Sequence, residues 1–387
     1  SLHGYDIIDH GALNPEIGNR DDFDTFAATL AHHGMGQILD MVPNHMGVMG
    51  RDNAWWMDLL ENGPASVYAE YFDVDWKPLD PEFAQRIVLP VLGDHYGAVL
   101  ERGELKLEFE PATGSFAVFY FDHRFPVDPR EYPRILQRAL RALAPSDLPD
   151  DARAGAESLI ASLSHLPPRD ATGADAIAER TRDKEVHKRQ LKRMAAEHPI
   201  LGETIERTVR QFNVPGSESD PYQSLHELLD AQAYRLAYWR VAGDDINYRR
   251  FFDVNDLAAL RMENEAAFEA THRFVLELVA EGKVDGLRID HPDGLHDPAR
   301  YFRRLQERYV QLAFGNATGP PPEAADRPLY IVVEKIVATH ERIPESWLIH
   351  GTTGYRFANA VNGLFVDTAA RSRVERVWKA FVGAEAV

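Results

Sequence analysis

The sequence contains no cysteine among its 387 residues. Disulfides, zinc–thiolate sites and cysteine nucleophiles are therefore excluded as sources of stability or chemistry. It also lacks any run near the roughly 20 consecutive apolar residues of a membrane-spanning helix, so we expect no membrane association. The absence of cysteine is typical of proteins that work in a reducing compartment, and we expect a cytoplasmic location.

Positive charge is the second thing the chain has little of. It carries 42 Lys and Arg against 61 Asp and Glu, which gives a net charge of −19. This balance disfavours nucleic acid or an anionic membrane as a partner and is compatible with a neutral substrate such as a sugar. Residues 179–198 are rich in Lys and Arg, but they alternate with acids, as on the solvated face of a helix.

What the sequence does contain is a repeated unit, a helix followed by a short β-branched run. The helices are predicted over 21–34, 264–281 and 298–312, and the runs that follow are QILDMVP, VDGLRID and LYIVVEK. This order is typical of parallel strands in an α/β fold. Polar residues stand at the end of each run: Asn44 and His45, Asp290 and His291, Glu334 and Lys335. Because the active site of a (β/α)8 TIM barrel lies at that face, we predict a TIM-barrel catalytic domain.

The domain prediction follows from the spacing of these runs. Three strands, with a fourth candidate at WLIHGTTG, are fewer than the eight that a closed barrel needs, so the barrel is expected to be incomplete in this chain. The gap between the first two runs predicts a large, mixed and mostly helical insertion after the third strand. The predicted domains are a barrel segment at 1–47 (end of strand 2 to strand 3), inserted subdomains at 48–262 with a β-hairpin part about 85–130 and a helical part about 131–262, and a barrel segment at 263–387 (strands 4 and 5 and following).

Two carboxylates at neighbouring strand ends are what a retaining glycosidase requires. Asp290 and Glu334 fit that requirement, and Arg288, on the same strand face, would keep Asp290 ionised as the nucleophile. Glu334 follows an apolar run and is expected to be protonated at rest. A lone Asp at a strand end more often caps a helix, and we expect Asp285 and Asp293 to be structural. Asn44 and His45 could donate hydrogen bonds to sugar hydroxyls.

Four segments resemble the α-amylase superfamily of glycoside hydrolases. They are DMVPNH (40–45), GLRIDHPDG (286–294) and VVEK (332–335), which resemble the first three signatures, and HGYDIIDHGALNPEIG (3–18). The resemblance implies that Asp290 is the nucleophile and that Glu334 is the general acid/base. It also implies that Arg288 is the partner of the nucleophile. The implied sugar-binding residues are Tyr5, His45 and His291. The third carboxylate of the superfamily is expected beyond Val387.

More narrowly, the chain resembles the maltooligosyltrehalose synthase branch of that superfamily. This resemblance is carried by VLPVLGDHYG, DHRFP, QAYRLAYWRVAGDDINYRRFFDVNDLAALR and HGTTGY, which together with HGYDIID span nearly the whole chain. It implies that the reducing-end α-1,4 bond of a maltooligosaccharide is converted to an α,α-1,1 bond by double displacement, without a cofactor. It also implies a maltooligosyltrehalose trehalohydrolase as a pathway partner.

Alternatives remain open at this stage. An amylase-like hydrolase would use the same carboxylates with a wet acceptor side, and a non-catalytic sugar-binding protein would be expected to have lost one of them. Tyr234, Tyr238 and Trp239 stand at helical spacing and could form either a core stripe or a sugar pocket. No metal site is needed, and His32 and His33 are expected at the surface.

Overall fold

The computed structural model describes residues 4–214, 222–315, 322–338 and 340–383. The described part of the chain forms alternating helices and strands. The helices are α1 (Arg20–His32), α2 (Ala54–Asn62), α3 (Tyr96–Glu101), α4 (Tyr132–Arg141), α5 (Asp150–His165), α6 (Ala174–Glu197), α7 (Pro199–Phe212), α8 (Gln223–Asp230), α9 (Glu265–Ala280), α10 (Pro298–Phe314), α11 (Tyr355–Gly363) and α12 (Arg371–Val382). The strands are β1 (Ile38–Met41), β2 (His45–Gly47), β3 (Ile87–Leu92), β4 (Leu105–Glu110), β5 (Ser115–Tyr120), β6 (His123–Pro126), β7 (Tyr234–Tyr238), β8 (Arg250–Phe251), β9 (Val254–Ala259), β10 (Gly286–Ile289), β11 (Tyr330–Val333) and β12 (Gly351–Thr352).

The chain divides into two compact units. The first consists of residues 1–12 and 44–271, and the second consists of residues 13–43 and 272–387. We call them the insertion unit and the sheet unit. The domain boundaries expected from the sequence, with the barrel segments at 1–47 and 263–387, stay a prediction. None of the described helices combines the length and apolarity needed to span a bilayer.

The sheet unit is built around a parallel sheet with the strand order β1-β10-β11-β12. The helices predicted before β1, β10 and β11 are present as α1, α9 and α10, and the fourth strand predicted at WLIHGTTG is present as the two-residue β12. Asn19 caps α1 by accepting hydrogen bonds from two backbone amides, and Asp297 caps α10 by accepting from the Arg300 amide, with Pro298 in the first turn. The parallel α/β sheet is confirmed. The closed eight-stranded barrel and the place of the insertion within it stay predictions.

Gln306 shows how α10 is attached to this sheet. It is fully buried, and its amide nitrogen donates to the carbonyl oxygens of Leu329 and Leu348, while its amide oxygen accepts from the Leu329 backbone. The Phe302 ring packs against Trp347 with ring centroids 5.2 Å apart. A buried amide satisfied by both flanking segments fixes the helix in one register along the strands.

The insertion unit contains both helices and strands. The predicted hairpin is confirmed, because β4 and β5 pair antiparallel from Leu105 opposite Tyr120 to Glu110 opposite Ser115. Its turn requires Gly114, whose φ is +71° and whose position would bring a Cβ within 2.1 Å of the Lys188 carbonyl oxygen. Helices α4 to α7 follow, and the charged segment 179–198 lies in α6 except for its last residue, His198.

The helical spacing assigned to Tyr234, Tyr238 and Trp239 is wrong. Residues 234–238 form β7, which pairs in parallel with β3, and Trp239 begins a 3₁₀ turn. Pairing with a strand about 147 positions earlier decides this conformation, and local spacing cannot detect it. Tyr234 is buried in the core, whereas Trp239 is 51% exposed. A role of these rings in a sugar pocket stays a prediction.

Candidate active site

The sheet unit brings the ends of β1, β10 and β11 to one edge. Because the strands are parallel neighbours, the residue after each strand lies at that edge. The Asp290 amide donates to the Met41 carbonyl at 2.9 Å, and the Glu334 amide donates to the Ile289 carbonyl at 2.9 Å. Backbone hydrogen bonds therefore place the two carboxylates side by side.

Arg288 is the cation around which the acids gather. Its Nη1 lies 2.8 Å from Asp290 Oδ1, and its Nη2 lies 3.0 Å from Glu334 Oε2. Nη1 also lies 2.6 and 2.7 Å from the two oxygens of Asp40. The contact with Asp290 is the one predicted from the position of Arg288 two residues earlier. The contacts with Asp40 and Glu334 make Arg288 a shared partner of three carboxylates.

Asp290 and Glu334 stand close enough that each influences the pKa of the other, and both contact Arg288. Burial and the neighbouring Glu334 raise the pKa of Asp290 to about 6, although Arg288 opposes the shift. Burial alone would raise the pKa of Glu334, but hydrogen bonds from Asp290 and Tyr355 and the charge of Arg288 together lower it.

The pKa of Asp290 is raised and that of Glu334 is lowered, which opposes the expectation that Asp290 is ionised and Glu334 protonated at rest, and the roles of the two acids stay predictions. Between the two pKa values the pair holds one shared proton, which favours Asp290. Arg288 faces both acids, so it does not select Asp290 for ionisation. The two acids differ in their contact with Tyr355, whose hydroxyl donates to Glu334 Oε1 at 3.0 Å and favours the ionised form of Glu334.

Sequence reasoning missed Asp40 and Tyr355 as members of this site. Asp40 stands in β1 directly opposite Arg288 in the parallel register, and the strand pattern of DMVPNH beside GLRID contains that signal. Tyr355 begins α11 after the GTTG turn, 21 positions from Glu334. Nothing in its local sequence indicates that its hydroxyl reaches the acid.

Residues next to Asp290 and Glu334 hold the loops that follow β10 and β11. His291 adopts a left-handed conformation with φ of 42°, and its charge helps to lower the pKa of Glu334. Lys335, only 9% exposed, pairs with Asp293 at 2.9 Å and with Glu341 at 2.7 Å, and so connects the loop after β10 to the loop after β11. Asp293 thus has the structural role expected of it.

Asp285, directly before β10, is also structural. Its Oδ2 accepts a hydrogen bond of 2.8 Å from the Gln37 backbone amide. His32 and His33 are both exposed at the end of α1, as expected. Within the described ranges, no group of three His, Asp or Glu side chains could hold a metal ion.

The remaining predicted sugar ligands lie in the insertion unit. His45 Nε2 lies 3.0 Å from the Tyr5 carbonyl oxygen, and the His45 ring packs on Phe251 with centroids 4.1 Å apart. Asn44 and His45 are almost fully buried, whereas the Tyr5 side chain is partly exposed. The structure thus brings Tyr5 and His45 together, and their roles as sugar ligands stay predictions.

Residues 1–93 match the α-amylase catalytic domain family. The chain is 29% identical over 383 residues to a protein of Mycobacterium tuberculosis (strain CDC 1551 / Oshkosh) named maltooligosyl trehalose synthase, covering 96% of this chain and 33% of that protein. It is 33% identical over 79 residues to the intracellular maltogenic amylase of Bacillus subtilis, covering 20% of this chain and 13% of that protein.

Solved structures give the same result. The maltooligosyltrehalose synthase of Arthrobacter ramosus superimposes with a TM-score of 0.62 at 31% identity, over 98% of this chain and 35% of that one. The DSM5389 glycosyltrehalose synthase superimposes with a TM-score of 0.61 at 27% identity, over 99% of this chain and 38% of that one. The chain spans about a third of the length of the curated relatives it matches over nearly its whole length.

These matches and the parallel sheet define the class: the chain has the α/β fold of the α-amylase glycosidases. Within this class it resembles the maltooligosyl trehalose synthases over nearly all of its length. The resemblance predicted from the sequence motifs is confirmed.

Proposed function

We propose that this chain carries the nucleophile and the acid/base of a (1→4)-α-D-glucan 1-α-D-glucosylmutase. This isomerase converts the reducing-end α-1,4 bond of a maltooligosaccharide into an α,α-1,1 bond. The observation that carries the proposal is the pair Asp290 and Glu334, adjacent at neighbouring strand ends and both held by Arg288. The assignment of an isomerase activity in particular is supported by the similarity to maltooligosyl trehalose synthases over 96% of the chain.

In the first step the Asp290 carboxylate attacks the anomeric carbon on the non-reducing side of the last α-1,4 bond. The bond from that carbon to the glycosidic oxygen breaks, and Glu334 gives its proton to the oxygen of the departing glucose. Substrate must therefore enter between the two carboxyl groups and leave the shared proton on Glu334. Arg288 then stabilises the ionised Asp290.

In the second step the anomeric hydroxyl of the retained glucose attacks the same carbon. Glu334, now ionised, accepts the hydroxyl proton, and the bond from the carbon to Asp290 breaks. The product has the mass of the substrate, because no water is consumed. Water competes at high concentration, so the retained glucose must be held in place and water excluded.

A maltooligosyltrehalose trehalohydrolase, which would release trehalose from this product, is the proposed pathway partner. No cofactor takes part in the two steps. A cytoplasmic location is proposed together with the pathway.

The test is to incubate the protein with maltopentaose and to follow reducing ends and product masses together. The isomerase lowers the reducing power while the mass stays unchanged. An amylase-like hydrolase, the alternative with the same carboxylates, raises the reducing power and yields shorter products. That second result would reject the isomerase.

A further inference from the structure

The insertion unit contains a cleft apart from the acid pair. It is lined by α3, α8 and β7, with Arg86 just before β3, and contains a cavity of about 70 Å³ that opens to solvent. Leu229 and Leu236 give it an apolar lining, and aromatic and charged side chains complete it. An apolar cleft with a few convergent polar groups is the usual form of a small-molecule site.

Tyr234 is the residue that points to a ligand. Its side chain is 1% exposed and lines the cleft, yet among the described residues its hydroxyl has no hydrogen-bond partner. Burial raises the pKa of Tyr234 further above its ordinary value, so the hydroxyl keeps its proton and stays able both to donate and to accept. A buried hydroxyl left without a partner destabilises the fold, and a bound hydroxyl group would satisfy it.

The other groups of the cleft are paired with one another. The Tyr96 hydroxyl lies 3.0 Å from His226 Nδ1, and the two rings lie with centroids 5.7 Å apart. Arg86 donates to Asp230 at 3.0 Å, which cancels both charges. These pairs present ring faces and hydrogen-bonding atoms without a net charge.

We propose that this cleft binds a neutral, hydroxyl-rich ring, a glucosyl unit of an α-glucan. The Tyr234 hydroxyl hydrogen-bonds to one sugar hydroxyl, Asp230 and Arg86 offer further polar contacts, and the Tyr96 ring packs against the apolar face of the sugar. An anion fits less well, since Arg86 is neutralised by Asp230, and Arg235 is ion-paired with Glu82. The choice of a glucan rests on the proposed function, and the site itself rests on the cleft and Tyr234.

The test uses maltotriose as the probe and the full chain with the Asp290→Asn substitution, so that no turnover occurs. Amide hydrogen exchange is measured in α8 with and without the sugar, and the affinity is taken from the concentration that half-protects α8. Tyr234→Phe removes only the unpartnered hydroxyl, so it is expected to fold as the parent does. Tyr248→Phe is the matched control, because Tyr248 is also buried but donates to the Asn255 carbonyl at 3.0 Å.

We expect maltotriose to slow exchange in α8, and Tyr234→Phe to weaken that protection about fivefold, the effect of losing one ordinary hydrogen bond. Tyr248→Phe should leave the half-protecting concentration unchanged. No protection of α8, or equal protection in the Tyr234→Phe variant, would overturn the proposal. Isomerisation of maltopentaose is assayed separately on the parent chain. Protection of α8 without isomerisation of maltopentaose would reject the proposed function but support the cleft as a sugar site. Isomerisation without protection of α8 would support the proposed function but reject the cleft as a sugar site.

Discussion

Arg288 decides how the candidate site behaves at the scale of single residues. A planar guanidinium can contact Asp40, Asp290 and Glu334 at once, which a lysine ammonium on a flexible stem would not reproduce. Its position was predictable from the alternation along β10. The location of the shared proton was not, because it depends on Tyr355 and on the closeness of the two acids, and neither is encoded in local sequence.

Substitution of either acid tests the assignment of roles. Asp290→Asn and Glu334→Gln should each lower the turnover number at least about 100-fold, because one removes the nucleophile and the other the acid/base. Asp285→Asn, directly before the same strand β10, is the matched control and should keep activity within about twofold of the parent. Turnover is measured on maltopentaose, with far-ultraviolet circular dichroism to confirm folding. Retention of more than a few per cent activity in either acid variant would break the assignment.

The pH dependence follows from the shared proton. The chemistry requires one proton on the pair, and that proton is lost as the pH rises through the raised pKa of Asp290, about 6. kcat/KM should therefore fall as the pH rises above about 6, and it should fall again on the acid side only below the usual range of a glutamate. A pH profile of kcat/KM on maltopentaose measures both limbs.

Asp40→Asn provides the control for that profile. The negative charge of Asp40 contributes to the raised pKa of Asp290, so its removal should move the basic limb to lower pH. A basic limb that stays in place, or that moves to higher pH, would contradict the shared-proton account.

At the scale of elements, the helices whose conformation is determined by local sequence pattern were predicted. The strand β7, whose conformation depends on pairing with a distant strand, was not. The helices before β1, β10 and β11 show their period and their caps in the sequence. In contrast, β7 contains rings at helical spacing, and only its pairing with β3 makes it a strand. The same limit applies to α6, whose charged sequence predicts a solvated helix although part of it is buried.

The buried part of α6 is held by charges. Lys184, 5% exposed, donates to Glu61 at 2.6 Å and to Asp58 at 2.7 Å, which connects α6 to α2. Burial alone would raise the pKa of Glu61, but Lys188 and Lys184 lower it to about 2, so the acid is ionised inside the insertion unit. A buried carboxylate that loses a cation is left poorly compensated.

Lys184→Met should therefore destabilise the insertion unit by about 3 kcal/mol, since it removes one partner of a buried ion pair. Arg182→Met is the control on the same helix. Arg182 pairs only with Asp183 and is 68% exposed, so its loss should leave the unfolding midpoint unchanged. Urea unfolding followed by circular dichroism compares the two variants. Equal midpoints would show that the buried network does not stabilise the helix.

At the scale of the whole molecule, the net charge of the chain favours a neutral substrate over a polyanionic one. A net charge of −19 repels polyanions but exerts no force on a neutral oligosaccharide. The α/β fold and the resemblance to maltooligosyl trehalose synthases were both predictable, because long motifs carry them.

The KM for maltopentaose should accordingly change less than about twofold as the salt concentration rises from about 0.05 to about 0.5 M. Steady-state kinetics at several salt concentrations give the value. A KM that rises steeply with salt would indicate that charge attracts the substrate, which contradicts a neutral sugar.

The central claim is that Asp290 forms a covalent bond to the sugar with Glu334 as its acid/base, and trapping that bond tests it most directly. The Glu334→Gln variant is incubated with α-maltosyl fluoride, whose leaving group needs no acid, and the digested protein is weighed. The account predicts a maltosyl adduct on the peptide that contains Asp290, which accumulates because no base remains to activate an acceptor. An adduct on any other residue, or no adduct while fluoride is released, would contradict it.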